Sequence, residues 1–66
     1  MTPRYYARSA CYGNDDWPWW FVADKHRVGL NVTAEVCELL DRPRKPGATL
    51  CAREYAEQLA EEANKL

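Results

Sequence analysis

The sequence predicts one small α+β domain spanning residues 1–66: an antiparallel sheet of two or three strands, a short helix, and a long amphipathic C-terminal helix packed on one sheet face. Three observations predict it. From Ala52 to Leu66 the apolar residues Ala52, Tyr55, Ala56, Leu59, Ala60, Ala63 and Leu66 recur at steps of three and one, the period of one helical face. Two stretches of aromatic and short side chains, Arg4–Tyr12 and Trp19–Asp24, flank a turn-forming Gly13-Asn14-Asp15-Asp16, where Gly and Asn tolerate positive φ and Asn and Asp bond their own backbone. A third, shorter apolar run follows Thr33 and stops before Pro43, because the residue ahead of a proline avoids helical geometry.

Taken in order, Met1–Pro3 should fray. Strand one, Arg4–Tyr12, would place Tyr6, Arg8, Ala10 and Tyr12 on one face and Tyr5, Ala7, Ser9 and Cys11 on the other. Strand two, Trp19–Asp24, would divide Trp19, Phe21 and Ala23 from Trp20, Val22 and Asp24. Each face of it begins with a large aromatic, and one helix covers only one face. Lys25-His26-Arg27 is a basic tip, and Val28–Val32 a third strand weakened by Gly29 and Asn31. Thr33 has the chemistry of an N-cap for a helix over Ala34–Asp41, with Val36, Cys37, Leu39 and Leu40 inward. Arg42–Ala48, with two prolines, a glycine and three cations, is a loop. Thr49 or Cys51 would cap the last helix; Cys51 and Glu54 have the spacing of a capping box but the wrong cap residue.

The totals narrow the function classes. A chain of 66 residues buries only about 60% of its unfolded surface and has a thin core. Its net charge of −1 supplies no general attraction to nucleic acid or anionic membrane. No apolar run is long enough for a membrane span, and the N-terminus lacks the pattern of a secretory signal. Cys11, Cys37 and Cys51 are odd in number and widely spaced, which points to free thiols in a reducing, cytoplasmic setting.

Reactive constellations are not apparent. The three cysteines and His26 lack the close pairs that structural zinc sites use, so no metal is expected. Ser9 and His26, the only serine and histidine, are not brought together by spacing, and no catalytic residue or cofactor is expected. Two features suit a partner surface instead. Tryptophan is enriched at binding hot spots, and Trp17, Trp19 and Trp20 lie together; the same rings are also effective core fillers. Glu54, Glu57 and Glu61 stand on the solvent side of the last helix, with Asp15 and Asp16 in the turn. Such a row is an ordinary soluble surface, or a stand-in for DNA phosphates that competes for a basic channel. The candidate partner-binding residues are therefore Asp15, Asp16, Trp17, Trp20, Glu54, Glu57 and Glu61.

Trp20-Phe21-Val22-Ala23-Asp24, Gly29-Leu30-Asn31-Val32-Thr33 and the tail Arg53-Glu54-Tyr55-Ala56-Glu57-Gln58-Leu59-Ala60 with Asn64 resemble small phage and prophage accessory proteins. In those a tryptophan-led strand pair precedes an alanine-rich terminal helix. Some phage proteins of this size are anti-CRISPR proteins, which inhibit bacterial Cas complexes by binding them. The resemblance covers about the last two-thirds of the chain and transfers no functional residues. It implies a non-enzymatic inhibitor in the cytoplasm of a host bacterium, whose partner is another protein such as a Cas effector subunit. Direct binding to nucleic acid or membrane is not expected. A small DNA-binding accessory protein using the sheet and the basic loops is the alternative, and monomer and homodimer are both open.

Overall fold

A computed structural model describes residues 3–66. Met1 and Thr2, expected to fray, lie outside the described residues. In chain order the elements are β1 (Tyr5–Ser9), β2 (Trp20–Asp24), a single 3-10 turn (Lys25–Arg27), β3 (Leu30–Asn31), α1 (Thr33–Leu40) and α2 (Arg53–Ala63). The sheet is antiparallel with strand order β1-β2-β3. The α+β class and the three-stranded sheet follow the sequence reading.

The β1–β2 register pairs Tyr5 with Asp24, Ala7 with Val22 and Ser9 with Trp20; Tyr6–Ala23 and Arg8–Phe21 alternate with them. Paired residues share a face. The first set faces the core, where Trp20 and Val22 meet Val32, Val36 and Cys37 of the α1 region and Ala56, Leu59, Ala60 and Ala63 of α2. Both helices therefore cover the same face, and neither covers that of Tyr6, Arg8 and Phe21. Alanines at three of the four buried α2 positions let that helix lie close to the strands.

β2 carries the centre of the sheet because both its edges are satisfied. On the side away from β1, Ala23 and Asp24 pair with β3. Trp20 exchanges backbone hydrogen bonds with Cys51, at 2.7 and 2.8 Å. Between them, the Val22 carbonyl accepts from Val32 N–H (2.8 Å), and Val22 N–H donates to Thr33 Oγ1 (2.9 Å). The Thr33 hydroxyl thus replaces a strand and does not cap α1 as expected. Asn31 supplies the local bonds at that helix start: its Oδ1 accepts from Thr33 N–H and Oγ1, and its Nδ2 donates to the Thr49 carbonyl. Thr33→Val should cost about 1–3 kcal/mol, since it strands a buried amide while keeping the side-chain shape; urea denaturation measures this.

α2 is not the long helix expected. It spans 11 residues, and long-range bonds set both ends. Cys51 is committed to the bridge with Trp20, so Ala52 stays extended (ψ 152°) and opens the helix without a side-chain cap. At the other end Asn64 turns its side-chain amide to β1: Tyr5 N–H donates to Asn64 Oδ1 and Asn64 Nδ2 donates to the Tyr5 carbonyl, each at 2.8 Å. Leu66 beyond it is exposed.

β3 is also shorter than expected. Val28 is in the left-handed region (φ 58°), fully exposed, and Gly29 follows at φ 78°. A Cβ on Gly29 would also lie 3.1 Å from the Tyr6 hydroxyl. The strain falls on Val28, a β-branched residue for which this conformation is unfavourable by about 1–2 kcal/mol. Val28→Gly should stabilise the fold by about 1 kcal/mol, allowing for glycine's greater freedom when unfolded. Calorimetry should show a midpoint higher by about 4–8 °C.

Asp24 closes β2 and is 1% exposed. Its carboxylate accepts from Arg4 Nε (3.0 Å) and Nη2 (2.9 Å), and from His26 N–H (2.9 Å) at the 3-10 turn. Arg27 Nε stands 3.5 Å away. The forked bond from Arg4, and then the His26 amide, hold the carboxyl below its usual range against the opposing effect of burial.

Candidate functional site

The outer face of α2 presents Glu54, Glu57 and Glu61, all exposed. Steps of three and four residues put them on one side of the helix, separated by about 4.5 and 6 Å of rise. Arg53 Nε meets Glu57 at 2.9 Å and Lys65 meets Glu61 at 3.6 Å, each one turn apart. Glu54 has no cationic partner among the described residues.

The turn after β1 extends this stripe. Ser9, buried at the end of β1, donates through Oγ to the Asn14 carbonyl (2.6 Å) and accepts from Cys11 N–H (3.2 Å). Asn14 Oδ1 in turn accepts from Asp16 N–H. This fixes exposed Asp15 and Asp16 near the start of α2. Arg53 experiences both: its guanidinium is held charged first by Glu57, with added attraction from Asp15 and Asp16. The same guanidinium lies 4.7 Å over the Trp20 ring, a cation–π arrangement. Arg53 is thus paired with Glu57 alone and feels Asp15 and Asp16 only at longer range, a proximity that sequence spacing does not show.

The tryptophans separate differently from the expectation. Trp20, expected at the partner surface, is a core residue at 6% exposure, with its indole N–H donating to the Trp17 carbonyl at 2.7 Å. Its position on the helix-covered face of β2 is what removes it from solvent. Trp17 is exposed, and so is Trp19, at 52%. Trp19 belonged to the tryptophan trio but not to the candidate partner residues, and it is the most exposed of the three. The signal was the alternation along β2: with Trp20 inward, its neighbour points away.

The basic loops are neutralised in part from within. Arg27 pairs with Glu35 at 2.9 Å, and Arg42 with Glu62. Arg44 donates through Nη1 to the Ala48 and Lys45 carbonyls. Lys25 and Lys45 have no carboxylate partner among the described residues. Burial pushes the Cys37 and Cys51 thiols up, keeping them protonated. No group of three or more His, Cys, Asp or Glu side chains converges among the described residues.

No family model, curated protein or solved structure matches the chain. Among the described residues no helix is long and apolar enough to cross a membrane.

Proposed function

We propose that this chain is a non-enzymatic, phage-derived inhibitor acting in the bacterial cytoplasm, which binds a Cas effector complex and occludes its DNA-binding surface. The observation that supports this reading most is the acidic stripe, in which Asp15 and Asp16 stand at the head of a helix bearing Glu54, Glu57 and Glu61. From Glu54 to Glu61 is about 10 Å of helix, a length over which duplex DNA carries about six phosphates. The helix alone supplies three carboxylates, so Asp15 and Asp16 are needed to approach that density. Trp17 and Trp19 offer exposed rings that could anchor the rim of such a contact.

The DNA-binding alternative has less behind it, because Arg27 and Arg42 are already paired with carboxylates. With Arg8, Lys25, Arg44 and Lys45 left without a carboxylate partner among the described residues, binding would weaken with salt at a log–log slope of about −4 at most.

The test is inhibition of target-DNA binding by guide-loaded Cas effectors, single-chain and multisubunit, at equimolar protein. Inhibition is expected, weakened at least tenfold in a Glu57→Lys, Glu61→Lys variant that melts normally. Failure to inhibit any effector, together with retardation of free DNA, would transfer the assignment to the alternative.

A further inference from the structure

A groove of about 570 Å³ lies between the Arg42–Leu50 loop, α1 and the start of α2. Its size is that of a small-molecule site. Trp19, Leu50, Cys51 and Tyr55 make its walls mainly apolar, and Arg44 and Lys45 contribute the charge.

Arg44 is the arginine that lines the groove, and like Arg8 it lacks the carboxylate partner that the other four arginines have among the described residues. Arg4, Arg27, Arg42 and Arg53 each pair with a carboxylate. Arg44 is half-buried and has no carboxylate partner among the described residues. Its Nη1 holds the loop carbonyls of Lys45 and Ala48. Its Nε and Nη2 donors have no protein acceptor among the described residues. A planar guanidinium with an open fork is suited to bidentate recognition of a carboxylate. Lys45, adjacent and exposed, adds a second positive charge with no opposing carboxylate. The Tyr55 hydroxyl is engaged with the Pro43 carbonyl at 2.8 Å, so its ring is fixed as a wall. Apolar walls and an open fork together require a ligand with an apolar body and one anionic end.

We infer that this groove binds a small aromatic carboxylate, with its ring against Trp19 and Tyr55 and its carboxylate on Arg44 and Lys45. Charge complementarity selects this occupant, and a volume of about 570 Å³ is that of a small-molecule site. No residue of the acidic stripe lines the groove; Trp19 is common to both readings, while Arg44 and Lys45, which carry the contact with the anion, have no part in the inhibitor assignment.

Phenylpropionate is a suitable probe, with its neutral amide as the control. Titration followed by ¹H–¹⁵N correlation spectra should move the Trp19 indole signal and the amides of Lys45 and Thr49–Cys51, with half-saturation near about 1 mM for so small a ligand. The amide should bind at least fivefold more weakly. Arg44→Gln keeps a side-chain donor for the loop carbonyls but removes the charge, and should weaken phenylpropionate at least fivefold; Lys45→Ala should weaken it about twofold. Cysteine alkylation gives a second readout. Bound ligand should slow modification of Cys51, which lines the groove, and leave that of Cys11, away from it, unchanged. Equal binding of acid and amide, shifts centred elsewhere, or no shift at 10 mM ligand (about ten times the expected half-saturation) would overturn the inference.

Discussion

Leu59→Ala is expected to bring the domain to the edge of unfolding, with a loss of about 2–5 kcal/mol. Leu59 is 1% exposed and is the largest fully buried side chain. The buried positions around it on α2 are alanines, which have no rotamers with which to fill a vacated space. A domain of this length has a total stability of only about 3–10 kcal/mol, so the change removes about a fifth of it or more. Urea denaturation should show a much lower midpoint with little change in slope. Leu39→Ala, at a position 63% exposed on α1, should change stability by less than about 1 kcal/mol. Equal effects at the two positions would contradict the assignment of the core.

The second large effect is at Asp24. Asp24→Asn should lower the melting midpoint by roughly 10 °C or more at neutral pH, because Arg4 and Arg27 lose the charge they share. The pH dependence gives the sharper test. A carboxyl held below its ordinary range contributes stability that is fully present above its unfolded value of about 3.9 and disappears as pH falls through the lower native value. The native protein should therefore weaken on acidification below about pH 4. The deficit of the Asp24→Asn variant should shrink over the same window as the two proteins converge. A deficit that stayed constant from pH 7 to pH 2.5 would show that the charge of Asp24 contributes nothing.

Asp24 also shows where sequence reasoning stops. Period alone located α2 and placed Ala56, Leu59, Ala60 and Ala63 inward, since amphipathicity is a local property. Alternation separated Trp20 and Val22 from Phe21 correctly. It could not say which set faces the helices, because both begin with tryptophan. The features read wrongly depend on partners distant in sequence. Cys51 delays α2 by bonding to Trp20, Asn64 is drawn to Tyr5, and Thr33 is diverted to Val22. Asp24 read as an ordinary strand residue, although an acid between Arg4 and Arg27 in a short chain was a signal that a buried ion pair was available. For the candidate site, exposure of Glu54, Glu57 and Glu61 was legible from the helical period. The approach of Asp15 and Asp16 to Arg53 was not, since it depends on how buried Ser9 folds the turn.

The clasp between Asn64 and Tyr5 bears on how the polypeptide matures in the cell. The outward edge of the first strand receives its amide partner from a residue 59 positions later, and the inner face of the hairpin is fully covered only when the last helix packs beside the first. The first strand therefore has its full set of partners only when Arg53–Ala63 is in place, so contacts distant in sequence must form together. Once closed, that side-chain amide occupies hydrogen-bonding positions that a neighbouring molecule's strand would otherwise take, protecting the domain against fibrous self-association.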